Sequence, residues 1–153
     1  MRWIALGICL ATLAGCDGYR YLTSGEVSWK LKKELRDNGA KEVDLASLTS
    51  FEWDELFMFG PYTPEQEICA RLAMELASCK SKVESPMNKS QILLVFRKAG
   101  EIVHVENHYR IHGDFTPLND HGQVVTPKTA KFSAYSAGEA TTGEPWLKLR
   151  QRP

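Results

Sequence analysis

The sequence has no excess of charge of either sign: nineteen Lys and Arg stand against nineteen Asp and Glu. Without a basic surplus to displace phosphate counterions, a dedicated nucleic-acid binder is disfavoured and no nucleic-acid partner is expected. It also lacks an apolar run long enough to cross a bilayer. The longest, at 3–13, would rise only about 16 Å as a helix, roughly half of a hydrocarbon core. No Gly-x-Ser-x-Gly elbow, Gly-rich phosphate loop or Cys-x-x-Cys pair occurs. The usual signatures of acyl transfer, nucleotide binding and thiol redox chemistry are therefore missing, and no cofactor is expected. Cysteine is scarce, at four residues, and no long internal repeat is present. What remains is enough for a core. Hydrophobic residues make up 43% and charged residues 25%, with six Phe, five Tyr and four Trp spread along 153 residues. That balance predicts one folded domain rather than a disordered chain.

The N-terminus carries a minimal positive region, Met1-Arg2, then the apolar run, then Leu13-Ala14-Gly15-Cys16. The length and order are those of a secretory leader rather than a spanning helix. Leu13-Ala14-Gly15-Cys16 resembles the lipobox of bacterial lipoproteins. The resemblance implies a diacylglycerol on the Cys16 sulfur and cleavage before it. On that reading 1–15 is a lipoprotein signal peptide, 16–22 the lipidated cysteine with a tether, and 23–153 a single α+β domain. Two or three acyl chains, at about 0.8 kcal/mol per buried methylene, make a stable anchor, so the membrane is the first expected partner. Asp17 beside the cysteine resembles the retention signal that keeps enterobacterial lipoproteins in the inner membrane. The domain is thus expected on the cell membrane, facing the periplasm.

Within the domain, Thr23-Ser24-Gly25-Glu26 has the form of a capping box, and Val27, Leu31 and Leu35 recur every four residues. A helix over about 24–37 is predicted, with Lys30, Lys32, Lys33 and Arg36 as a solvated face near its C-terminal end. Strands are expected at 41–48 and 51–59. Thr63-Pro64-Glu65-Gln66 reads as a helix start, with Thr63 as N-cap and Ile68, Leu72 and Leu76 as the apolar stripe. A hairpin follows, 91–98 and 101–111 around Ala99-Gly100, and two short strands at 129–135 and 146–150 end the chain. Helices early and strands late predict an α+β fold: an antiparallel sheet of five to six strands flanked by two helices.

Phe51-Glu52-Trp53-Asp54 followed by Phe59-Gly60-Pro61-Tyr62-Thr63-Pro64 resembles a pattern in small uncharacterised bacterial lipoproteins and secreted proteins. The hairpin at 93–105, the Gly113-Asp114-Phe115 turn and the Ala130-Lys131-Phe132 strand extend the resemblance over about 45–150. It implies one fold over that span and carries no activity.

Three histidines, His104, His108 and His112, are spaced by four. Apolar Val103, Val105, Tyr109 and Ile111 alternate with them, which is strand periodicity. Histidines four apart on a strand lie about 13 Å apart, too far to share an ion, so no metal site is expected. The polar parity, His104, Glu106, His108, Arg110 and His112, is instead expected to face water. Glu52, Asp54 and Glu55 around Trp53 could serve acid–base chemistry on a sugar. The plainer expectation is a core plug at Trp53 and a turn-capping carboxylate at Asp54.

Cys9 leaves with the leader and Cys16 takes the lipid, so Cys69 and Cys79 remain as a candidate disulfide pair. On one unbroken helix their α-carbons would lie about 15 Å apart, beyond reach of a bridge. A bridge requires the helix to end near 73–77, whereas the Ala- and Leu-rich sequence there favours continuation, so both outcomes stay open. The connection at 78–90 has no periodicity of its own and is expected to be a long loop. Lys80, Lys82 and Lys89 give it a positive bias and Met87 an apolar tip, a candidate contact surface for a protein partner. The expected function is a lipid-anchored, non-catalytic binding module. Immunity against a periplasmic toxin and a hydrolase using the carboxylates near Trp53 or the His-rich strand are the alternatives.

Overall fold

The computed structural model describes residues 25–118 and 124–153, so Thr23 and Cys16 lie outside the described residues. The first helix, α1 (Glu26–Lys32), continues as a π-helical turn (Lys33–Asp37) and buries Val27, Leu31 and Leu35 as their spacing predicts. Strand β1 (Glu42–Asp44) stops early because the Asp44 carboxylate accepts the Ala46 amide at 3.0 Å and starts a short helix, α2 (Leu45–Leu48). Strand β2 (Glu55–Phe59) leads to α3 (Glu65–Arg71) and α4 (Leu76–Lys80). The hairpin is β3 (Gln91–Lys98) and β4 (Glu101–Tyr109), and a 3₁₀ turn (Arg110–His112) follows it. Last come β5 (Lys131–Glu139) and β6 (Pro145–Gln151). The fold is α+β, and its six strands are divided between two antiparallel sheets, β1-β5-β6 and β2-β3-β4.

The division follows from β3. Ile92, Leu93, Leu94, Val95 and Phe96 are all at most 1% exposed, so this strand needs apolar cover on both faces. Ile92, Leu94 and Phe96 join α1, Val43, Phe132 and Leu149 on one side. Leu93 and Val95 join Phe57, Phe59, Ile68 and Leu72 on the other. The β2-β3-β4 sheet is therefore the middle layer, with the second sheet and α1 on one side and α3–α4 on the other.

Pairing with β3 also overturns the expected solvent face of β4. His104, Glu106 and His108 stand opposite Phe96, Leu94 and Ile92, so they point at α1 and the main core. His108 is fully buried and Glu106 is 6% exposed, whereas Val103 on the apolar parity is 42% exposed. The polar groups are inside because α1 starts against them. Glu106 accepts the Val27 amide at 3.1 Å and the Ser28 amide at 2.7 Å, two donors that have no partner within the helix. This distant carboxylate caps the helix, and Glu26 turns instead to Ser50 and Lys30. Gly25 permits the approach: its φ is +77°, and a Cβ there would lie 2.6 Å from the Glu106 carboxyl carbon. Arg36 is not part of a solvated face either. It donates to the Ile111 and Pro145 carbonyls at 2.8 and 3.0 Å, tying the end of the first helix to the turn after β4 and to the start of β6.

The Thr63 hydroxyl donates back to the Gly60 carbonyl at 2.9 Å, and Pro64 is the N-cap of α3. The helix then ends early, in a Schellman motif. Met74 N–H donates to the Cys69 carbonyl and Ala73 N–H to Ala70, with Ala73 at φ +51°. Glu75 starts α4 by accepting the Ala77 and Ser78 amides, which hold its carboxyl below the usual carboxylate range. The chain thereby doubles back, bringing the Cys69 and Cys79 α-carbons to 5.7 Å in a disulfide. Leu76, beyond the break, is 38% exposed and drops out of the expected stripe.

Trp53 is a core plug. It is 7% exposed, its indole N–H donates to the Thr49 hydroxyl at 3.1 Å, and its ring meets Phe96 edge-on at 5.2 Å. Trp53→Ala is expected to cost about 3 kcal/mol through the cavity left behind, read as a lower thermal midpoint. Unchanged melting would rule out this packing role.

Candidate functional site

The two sheets do not close completely on each other. Between Met58 of β2 and Phe132 and Leu149 of the other sheet lies a cleft of about 280 Å³, with Phe115 and Val125 completing an apolar floor. Its polar lining comes from Arg71 at the end of α3, Thr116, Tyr135 of β5, and Arg150 and Gln151 of β6. No carboxylate, imidazole or thiol is among the described lining residues.

The turn that carries Phe115 and Thr116 is held by Asp114, whose side chain is fully buried. Asp114 accepts from Arg110 Nε at 3.0 Å and Nη2 at 3.1 Å, from the Trp146 indole at 2.9 Å, and from the Thr116 amide and hydroxyl at 3.0 and 2.8 Å. Its backbone bridges to β6 in parallel through Leu147 and Leu149, and Lys148 donates to the Thr116 carbonyl at 2.7 Å. Burial alone would raise the Asp114 pKa. Arg110, Thr116 and Trp146 outweigh it and hold the carboxyl at about 2. Beside this hub, His108 Nε2 bonds the Gly113 carbonyl at 2.7 Å, and burial pushes the imidazole below its ordinary pKa. A Cβ on Gly113 would strike Leu35, Leu149 and Leu31, so the turn packs directly onto α1 and β6.

The described candidate residues read from the sequence lie away from this cleft. Cys16 lies outside the described residues. Lys80, Lys82, Met87 and Lys89 are all exposed, Met87 by 71%, but they do not form a positive patch. Lys80 pairs with Glu65 at 3.4 Å, and Glu84 lies along the same shallow groove as Lys80 and Lys82. Lys89 offers its carbonyl to Arg110. The 78–90 segment is not a structureless loop, because Val83 and Pro86 are buried and Pro86 accepts the Tyr62 amide at 2.8 Å. Replacing it with a flexible linker would remove core, contrary to the loop reading. Its pieces are too short for a period to show.

The carboxylates around Trp53 are each engaged structurally. Glu52 pairs with Lys98, Asp54 accepts the Ala99 amide of the hairpin turn at 2.9 Å, and Glu55 holds Arg97 at 2.5 Å. His104 bonds Glu106 at 2.7 Å and stacks on Phe51. Among the described residues, no three His, Cys, Asp or Glu are grouped so as to hold a metal ion. Arg71, Arg150 and the Asp114 hub went unnoticed in the sequence. The only local signal was Asp114-x-Thr116, the spacing of a side chain that accepts an amide two residues on. No family model matches the chain, and no curated protein or solved structure matches it significantly.

Proposed function

We propose that this chain is a lipoprotein anchored through Cys16, presenting a non-catalytic binding domain at the periplasmic face of the membrane, with Asp17 favouring the inner membrane. The observation that carries the reading is the Cys69–Cys79 bridge. Such bonds persist where thiols are oxidised, and that is the environment to which a leader ending in Leu13-Ala14-Gly15-Cys16 would deliver the domain. Binding rather than catalysis is supported by how the acids are used. Glu52, Asp54, Glu55, Glu106 and Asp114 each hold a structural donor or cation. The cleft between the sheets offers guanidinium and amide groups over an apolar floor, the furnishing of a recognition site.

Metabolic labelling with a clickable fatty acid tests the anchor. Wild-type protein is expected to take up label and to be processed before Cys16, whereas Cys16→Ser takes up none and stays as precursor. Label persisting in Cys16→Ser would overturn the assignment.

A further inference from the structure

Resting on the binding-module reading, we propose that the cleft between the two sheets takes a small organic anion, a carboxylate or phosphate on a compact apolar body, held by Arg71 and Arg150. The arginines of the structure divide in two. Arg36, Arg97, Arg110 and Arg152 each face a carboxylate, on Glu144, Glu55, Asp114 and Glu42 respectively. Among the described residues, Arg71 and Arg150 have no ion-pair partner, and both line the cleft.

Their guanidinium groups are nevertheless positioned. Arg71 lies over the Phe59 ring at 4.5 Å and Arg150 over the Tyr135 ring at 5.1 Å. Stacking restrains the guanidinium plane while leaving N–H donors at its edge for an oxyanion. Two such forks in a cleft with no carboxylate among its described lining residues make a site for negative charge, and planar donors favour carboxylate or phosphate. The floor sets the rest of the ligand. Met58, Phe115, Phe132 and Leu149 reward an apolar body, and about 280 Å³ lies just below the usual size of ligand pockets, so the body must be compact. The Asp114 hub fixes the Phe115–Thr116 side of this floor, so the cleft is formed before a ligand enters.

Equilibrium dialysis of the purified full chain in detergent micelles, against empty micelles, tests this with phenylacetate and phenyl phosphate as probes and inorganic phosphate as competitor. One organic anion is expected to bind saturably, one per chain, and the tighter of the two identifies the headgroup. Arg71→Gln and Arg150→Gln should each weaken it about tenfold or more, as loss of charge-assisted hydrogen bonds requires. Arg71→Lys keeps the charge but loses the fork and should fall between. Lys98→Gln removes one positive charge from an exposed pair at the hairpin end of β3, away from the cleft lining, and should leave binding within about twofold, because screening removes the influence of distant exposed charges. Melting curves on the same preparations separate lost binding from lost folding.

No saturable binding by folded wild-type protein would overturn the proposal, as would equal loss in Lys98→Gln. Inorganic phosphate displacing either probe at the probe's own affinity would overturn the apolar half of it. A chain that carries the Cys16 label yet binds neither probe would overturn the cleft assignment and leave the lipoprotein reading standing.

Discussion

Asp114→Ala is expected to lower stability by about 4–5 kcal/mol, read as the midpoint of urea unfolding at pH 7. Removing one member of a buried ion pair costs about 3–5 kcal/mol, because the partner stays desolvated and uncompensated. Here the stranded partner is Arg110, whose side chain is 22% exposed, and the Trp146 indole and Thr116 amide lose their acceptor as well. Against a typical stability of about 5–15 kcal/mol, that leaves the domain near unfolding. Asp114→Asn keeps the shape and one acceptor oxygen but turns an amide N–H₂ towards donors, so a smaller loss, about 3 kcal/mol, is expected.

The acid limb of stability separates charge from shape. The unfolded carboxyl takes its proton near 3.8, while the folded one resists until about 2. The contribution of Asp114 is therefore complete above about pH 4 and is lost as pH falls through about 2. The gap between wild type and Asp114→Asn should narrow over that interval. His108 adds an earlier loss: the unfolded imidazole protonates from about 6.5 downward while the buried one resists, and both proteins share it. An Asp114→Ala protein within about 1 kcal/mol of wild type would refute the hub, since even one buried unsatisfied donor costs about that much.

Glu106→Ala is the second large effect, at about 3–4 kcal/mol. The substitution orphans the Val27 and Ser28 amides at the buried start of α1, each costing about 1–3 kcal/mol, and removes the partner of His104. Glu106→Gln, with a single amide oxygen, should recover about half of the loss. Hydrogen exchange gives the specific signature. The Val27 and Ser28 amides should lose protection in Glu106→Ala beyond what the global destabilisation explains. Equal loss of protection across β3 and α1 would mean that Glu106 contributes only to general packing.

Much of the fold could be read along the chain because its cause is local. Val27, Leu31 and Leu35 at helical spacing bury one face of α1 wherever that helix docks. The continuous apolar run of β3 demands cover on both sides, and Ala99-Gly100 closes its hairpin with φ at +50° and +83°. Trp53 carries enough apolar area that burial dominates whatever surrounds it. The sequence by itself settled the α+β class, the order of the main elements and the hairpin.

Only the tertiary structure decided which face of β4 is inside. Alternation marks two faces as different, and it assigns the polar one to water only if nothing polar waits in the core. Here the unpaired amides of α1 wait there, and they belong to residues almost eighty positions away. The sequence could not decide between a break after Leu72 and a continuous helix for a related reason. A Schellman turn usually shows itself by a glycine, and here Ala73 adopts the left-handed conformation while the Cys69–Cys79 bridge and the packing of Met74 hold the reversal. The cleft was beyond reach altogether. Arg71, Thr116, Tyr135 and Arg150 share no spacing or period, and they meet because two sheets of different composition leave a gap at their seam. Periodicity reports what each segment must bury. Which charges remain unpaired is known only after every other charge has found its partner in three dimensions.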